Sequence, residues 1–460
     1  MTVAVPTSGD PQSARQVRLY PIFWRWHFLA ALIVIPFVLW QSVTGTLYLW
    51  SEWWMDLRYP QVRFVPVSDT KVPPSAQMSA AFASTGARQT LPVATEHNHG
   101  AHQAGAQSQT SAGRPVQQIV LHDDPRRSTE VIFQGSDGLP YPVFVNPHTG
   151  QAIGALTSGQ WLPGISRSLH AGWPLGAPGN WLLELGNCWA IVMIVTGIYL
   201  WWPRGRSLRQ ALRPRRDAGA RVYVRDLHAI VAVIISAVFI FFLISALPWT
   251  SFWGGEVLSR AQKLLGQESP AGFSIGGAST DQMDSAGSSM DAAVRTARER
   301  GVKGTITVQL SPWKDAPLFV ANRTSSIWDD RIVTADSASG KLIGDFQNQD
   351  LPAIPRLVAV GIHVHQGDFG PVNVWLNTLL ACSLIWLSIT GIVSWWIRRP
   401  KGQSGVPPRR NVPWSPAILV PLVLMAVLLP LFGFSVVVAA ALGSMMTKLR
   451  QRKVDFSHAS

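Results

Sequence analysis

Charge is scarce in this chain. Asp, Glu, Lys and Arg make up 14% of its 460 residues, against about 25% in ordinary globular proteins. Cysteine is scarcer: two residues exclude a disulfide framework, a Cys-rich metal site and an iron–sulfur cluster. No Gly-rich nucleotide fingerprint or phosphate loop is present, and no Ser/His/Asp or His-Glu-x-x-His arrangement points to a hydrolase. What is abundant is apolar surface, 47% of residues, together with 21 Trp. An ordinary cytosolic enzyme and a disordered chain are both excluded. A membrane protein with water-facing parts remains.

Five windows hold no charged residue over about membrane length: Trp26–Ser51, Leu185–Pro203, Leu227–Gly255, Phe369–Ile397 and Asn411–Thr447. A bilayer core of about 30 Å needs about 20 helical residues. The first window is too long for a signal-peptide core and reads as a signal anchor. The last would make a helix of roughly 55 Å, so it either kinks at Pro430 and Gly433 or folds into a hairpin. The net charge of +13 is a topology signal and excludes nucleic acid as the partner. Eight Arg against two Asp lie in Pro203–Asp226, and five basic residues in Arg398–Arg410. Positive charge marks the cytoplasmic side. The N-terminus and both Arg-rich links are therefore expected inside, and the two long, charge-balanced loops outside.

The chain repeats itself. Trp181–Arg204 aligns with Trp375–Arg398 with 11 of 24 positions identical, Cys188/Cys382, Thr196/Thr390, Gly197/Gly391 and Arg204/Arg398 among them. Each half reads as helix, external domain, helix, in parallel orientation. Each external domain has a helix-like stretch (Ser75–Ala87; Ser289–Arg300) and then short β-rich runs. These are Gln117–Leu121, Glu130–Gln134 and Pro142–Asn146 in one, and Thr305–Gln309, Leu318–Asn322 and Arg331–Ala335 in the other. Both close on an Asn/Asp-to-Gly turn, at Asn146–Gly150 and Asp336–Gly340.

The predicted fold is a membrane α-helical bundle, with four core transmembrane helices in two parallel repeats, a C-terminal transmembrane segment or hairpin, and two external α+β domains. Its parts are an N-terminus (1–25), a first span (26–51), the first domain (52–169), an outer His segment with the second span (170–203), and an Arg-rich link (204–226). A third span (227–250), the second domain (251–362), an outer His segment with the fourth span (363–397), a link (398–412), the C-terminal segment (413–447) and a basic tail (448–460) follow. The Gly/Ser/Gln-rich stretch 95–114 reads as a loop inside the first domain.

Eleven His are present, and four stand at equivalent edges of the core helices. His27 and His228 open the first and third; His170 and His365 precede the second and fourth. His363 is a fifth candidate and leaves the last position open between two residues. An ionisable group at membrane depth usually faces a partner or cavity, and imidazole is an axial ligand for haem iron. His27 with His228 would hold one haem near the inner face, and His170 with His365 another near the outer face. Zinc fits less well, because two His lack its third and fourth ligands. No Cys-x-x-Cys-His is present, so such haem b groups would be non-covalent and bis-His. His97, His99 and His102 form a cluster outside the membrane that could capture a transition metal. Cys188 and Cys382 read as buried, inert thiols, and the Trp pairs as interfacial belts.

These features together resemble the bacterial PepSY-associated transmembrane family, which includes inner-membrane ferric-siderophore reductases. The likeness spans about residues 20–445. It rests on His27 with Thr44-Gly45, Leu169-His170 with Gly176 and Gly179, and Thr196-Gly197 with Trp201-Trp202-Pro203-Arg204. It rests also on Leu227-His228, His365-Gln366-Gly367 with Phe369-Gly370, Thr390-Gly391 with Trp395-Trp396, and the two Gly-turn modules. The resemblance implies two periplasmic PepSY domains on a haem-bearing core, with His27, His170, His228 and His365 as ligands. The expected function is a di-haem inner-membrane reductase supporting iron uptake. It would take electrons from a cytoplasmic donor or a quinol and reduce a periplasmic ferric-siderophore or another oxidised metal chelate. Arg126 and Arg127 offer a small basic patch for an anionic chelate. The alternative is a membrane-anchored PepSY binding or sensory protein without redox activity.

Overall fold

The computed structural model describes residues 11–85, 116–269, 283–309, 318–323, 329–336, 339–408 and 416–459. The capture cluster expected at His97, His99 and His102 lies outside them. Four helices are long and apolar enough to cross a membrane, and they are the four expected: α1 (Pro11–Leu49), α5 (Gly176–Trp201), α6 (Ala220–Ala246) and α9 (Pro371–Arg398). Their bounds differ from the charge-free windows. α1 starts well before Trp26, so His27 sits inside it, and His228 sits inside α6 two turns from its start. A charge gap marks the membrane core, whereas backbone hydrogen bonding carries a helix on through its charged ends.

Between α1 and α5 lie α2 (Ser51–Arg58), α3 (Pro74–Ser84), strands β1 (Val116–Leu121), β2 (Thr129–Gln134), β3 (Pro140–Val145) and β4 (Ala152–Ala155), and α4 (Leu162–His170). Between α6 and α9 lie α7 (Met283–Glu299), β5 (Thr305–Gln309), β6 (Leu318–Arg323), β7 (Arg331–Ala335), β8 (Leu342–Gln347) and α8 (Ala353–Gln366). The two external sets of strands are not separate sheets. They form one antiparallel eight-stranded sheet, β4-β3-β2-β1-β5-β6-β7-β8. β1 and β5 join the halves, with Ile119 opposite Val308 and Val120 opposite Thr307. Pairing covers two edges that would otherwise offer free backbone donors and acceptors.

The two halves of this sheet are built alike. In each, the last hairpin turns through a left-handed glycine, Gly150 (φ +73°) or Gly340 (φ +66°). In each, that glycine N–H donates to the carbonyl of the opening Asn146 or Asp336, at 2.9 and 2.8 Å. One face carries α3 and α7. Met78 and Ala81 from the first, and Met290, Ala293 and Ala297 from the second, pack on Ile119, Val131, Phe133, Val143, Val308, Val320 and Val333. Burying each large apolar side chain of this set contributes roughly 1.5–3 kcal/mol. Ser75 on α3 bonds Asp291 on α7 through its backbone N–H, at 2.9 Å, and through its hydroxyl.

A charged knot ties α2 to β2. Arg63 is 1% exposed and donates to Asp56 (2.7 Å), Glu130 (2.9 Å) and Glu52. Burial alone would lower its pKa, but the charges of Glu130, Glu52 and Asp56 outweigh it and raise it. Burial opposes ionisation of Glu130 as well; the His122 hydrogen bond and the Arg63 charge prevail and hold its carboxyl below the usual range.

The chain divides into two compact units: Met1–Trp40, Trp181–Trp253 and Cys382–Ser460, and Gln41–Asn180 with Gly254–Ala381. In the first unit, the C-terminal window is two helices, α10 (Pro416–Leu428) and α11 (Pro430–Ala459). They turn back on each other at Leu429: a Cβ on Gly433 would stand 2.9 Å from that of Ala426. Leu429 and Phe432 at this turn pack on Cys188, Val192 and Leu247. Cys188 is buried as expected, but Cys382 is exposed on the isolated chain. It lies on a face of α9 that no other described helix covers, so the matching sequence position does not carry matching burial.

Candidate functional site

Each of three histidines lies against a Thr-Gly step of another helix. In the first unit, His27 Nδ1 lies 3.1 Å from Thr196 Oγ1 and 3.1 Å from the Met193 carbonyl oxygen. His228 Nδ1 lies 3.0 Å from Thr390 Oγ1. In the second unit, His170 Nδ1 lies 3.0 Å from Thr44 Oγ1. The glycine that follows each threonine makes room for the ring. A Cβ on Gly197 would stand 3.1 Å from His27 Cε1, one on Gly45 3.3 Å from His170 Cε1, and one on Gly391 3.6 Å from His228 Cε1.

These contacts set the tautomer. A carbonyl oxygen only accepts, so His27 Nδ1 carries a proton. Thr196 and Thr390 spend their own hydroxyl protons on backbone carbonyls one turn back, at 2.9 Å each, and so accept from the imidazoles. With Nδ1 donating, Nε2 is the bare nitrogen, the form in which imidazole ligates a metal. Desolvation by burial pulls the His170 pKa down to about 4 and, with the His170 charge adding to it, that of His365 down to about 3. Both rings are neutral at physiological pH.

His27 and His228 lie in one unit, each against a threonine of another helix. The rings of His170 and His365 have centroids 6.2 Å apart and planes at 73°. A metal bound by two opposed imidazoles needs centroids about 6.3 Å apart, given a metal–nitrogen bond of roughly 2.0–2.1 Å and about 1.1 Å from nitrogen to ring centre. The His170–His365 pair therefore has the ring spacing that a bis-imidazole metal site requires. Among the described residues, no group of three or more His, Cys, Asp or Glu is placed to hold a bare metal ion.

His363 is placed differently. Its Nδ1 lies 2.9 Å from Asp368 Oδ2 and its Nε2 3.1 Å from Asp330 Oδ2, so both nitrogens face carboxylates. His365, by contrast, faces His170. Asn377 donates to the Val364 and His365 carbonyls, at 2.8 and 3.1 Å, and fixes the end of α8. Arg126 and Arg127 form no free basic patch: Arg126 pairs with Asp124 and Arg127 with Asp56. The Trp residues divide. Trp53, Trp54, Trp202 and Trp396 are exposed as a belt requires, but Trp50 is engaged, bonding Thr378 at 3.0 Å and packing edge-on to Trp375.

The threonines were the hidden part of the site. Their signal in sequence is the Thr-Gly pair itself, recurring at 44–45, 196–197 and 390–391; what it lacked was the partner on another helix. No curated protein matches the chain. The family model described as the PepSY-associated TM region matches residues 24–398, a stretch that includes α1 from residue 24 on, the other three core helices, both sets of strands and every histidine of the two pairs. The chain is a membrane protein and belongs to the PepSY-associated TM region family.

Proposed function

We propose that this protein is a membrane reductase that holds two haem b groups non-covalently and delivers electrons to an oxidised metal chelate outside the membrane. His27 and His228 hold one haem; His170 and His365 hold the other. Bound there, haem supplies one-electron redox chemistry at a potential set by its axial imidazoles and their surroundings. The chain's own part is to present Nε2, to keep the proton on Nδ1 of His27 and His228 through Thr196 and Thr390, to place His170 against Thr44, and to exclude water with apolar helices. The observation that carries the reading is the 6.2 Å spacing of the His170 and His365 rings.

In this reading the protein sits in a bacterial inner membrane. The Arg-rich links face the cytoplasm, as their excess of positive charge favours, and the eight-stranded sheet is periplasmic. The donor is a cytoplasmic carrier or a membrane quinol. The substrate is a ferric-siderophore or similar chelate: reduction to Fe(II) weakens hard-oxygen chelation and frees the metal for uptake.

The test is a haem count and a reduced-minus-oxidised spectrum on protein purified from a haem-replete host. Two haems per chain, with bands that fade when a ferric chelate is added anaerobically, are expected. Colourless protein would overturn the reading and leave a membrane-anchored binding or sensory protein.

A further inference from the structure

Two arginines stand at the Arg-rich ends of α6 and α9. Arg398, the last residue of α9, and Arg221, near the start of α6, lie toward the same end of two helices that meet at His228 and Thr390. Among the described residues, neither forms an ion pair. Nearby Arg215 and Arg225 both bind Asp226, so that carboxylate is already committed.

Their placement points inward. Arg398 lies over the rings of Trp24, at 4.7 Å, and Phe28, at 5.6 Å. Those two residues stand on either side of His27 in sequence, so Arg398 reaches the stretch of α1 that carries this histidine. Arg398 follows Gly391, the glycine against His228, by seven residues, and Arg221 precedes His228 by seven. Seven residues are two turns of one helix face, about 10.5 Å of rise. The backbone positions of both arginines thus stand about two turns from the level of His228, toward the same end of the helices. The tetrapyrrole proposed above carries two carboxylates at one edge, and they need cationic partners.

We propose that Arg221 and Arg398 form an anion clamp for the carboxylate side chains of the tetrapyrrole held by His27 and His228. This rests on the haem reading of that pair. A lipid phosphate is the other anion available at a helix end, and it makes a different prediction.

The test compares haem with its dimethyl ester, whose carboxylates are masked. Both are titrated into haem-depleted full-length protein in nanodiscs and followed by visible absorbance. Wild type should bind haem roughly tenfold or more tightly than the ester at the His27–His228 site, the gain expected of a charged hydrogen bond. That site is identified as the one lost in His27→Ala. The Arg221→Gln/Arg398→Gln protein should lose the preference, and Arg221→Lys/Arg398→Lys should keep part of it. If wild type binds both forms equally, or the Gln variant retains the preference, the clamp is wrong. A lipid site would instead leave the haem-to-ester ratio unchanged in every variant while binding varied with nanodisc anionic lipid, which also overturns it. Should wild type bind neither form, the haem reading itself falls, a result distinct from loss of the clamp alone.

Discussion

At the scale of single residues, the site depends on how closely a backbone can approach an imidazole. The glycines at 197 and 391 are equivalent in the repeat but not in clearance: an added Cβ would meet His27 at 3.1 Å and His228 at 3.6 Å. The first distance is tight and the second is ordinary contact. Gly197→Ala should therefore displace the His27 ring and weaken haem binding at its site, whereas Gly391→Ala should leave binding near wild type. Visible titration of the two variants checks this, and equal effects would remove the steric argument. Thr196→Val keeps the shape of the side chain but removes the acceptor for Nδ1–H. Losing a group that orients a metal ligand typically costs about 10–100-fold in affinity. That loss is expected here, less whatever the Met193 carbonyl, also 3.1 Å from Nδ1, retains. The histidines were legible in sequence because ionisable groups are rare in such apolar stretches. The threonines were not, because a Thr-Gly pair in a membrane helix is equally a packing motif until the ring opposite it is seen. The same limit applied at 363 and 365, where two histidines of one type are separated only by Asp330 and Asp368 closing on the first.

At the scale of elements, the eight-stranded sheet is tied to α2 through β2 by the Arg63 knot. Removing the guanidinium would leave the buried carboxylate of Glu130 without its arginine, with His122 beside it. Breaking a buried pair in this way costs about 3–5 kcal/mol, so Arg63→Met should destabilise the sheet by about that much. Limited proteolysis across the first half of the sheet, or its thermal transition, would measure it. The pH dependence follows from Glu130, whose carboxyl is held below the usual range. Near and below about pH 4.3, the ordinary glutamate value, the unfolded chain takes up the proton first. The stabilisation is complete above that value and is lost as pH falls through the folded pKa. Wild type should lose stability in this range, and Glu130→Gln should show a flatter profile there. Most strands were legible to within a residue or two, because alternating Val, Ile and Phe between turn residues leave little choice. Their union was not. Nothing local in Gln118–Leu121 specifies Ile306–Gln309 as its partner across nearly 200 residues.

At the scale of the whole molecule, the division of the chain bears on how the two haem sites should behave. His27, His228 and their threonines all belong to one compact unit; His170, His365 and Thr44 belong to the other. No ligand or orienting threonine is shared between pairs. Disruption at one pair should therefore stay local, although both are carried by helices that belong to the same repeat. His27→Ala or His228→Ala should lower the haem count from two per chain to one, and the surviving spectrum should match that of the remaining site in wild type. His170→Ala or His365→Ala should give the complementary loss. The functional consequences differ with side. Protein lacking the outer haem should still be reduced by a donor at the Arg-rich face but should fail to pass electrons to an external ferric chelate. Protein lacking the inner haem should keep a site that external reductants can reach. A stopped-flow measurement in sealed vesicles, with the donor on one side and the chelate on the other, separates these cases. Loss of both haems from a single substitution would mean that the pairs fold together and that the assignment of ligands by unit is wrong. Full transmembrane reduction after loss of His170 or His365 would mean that electrons leave by another route.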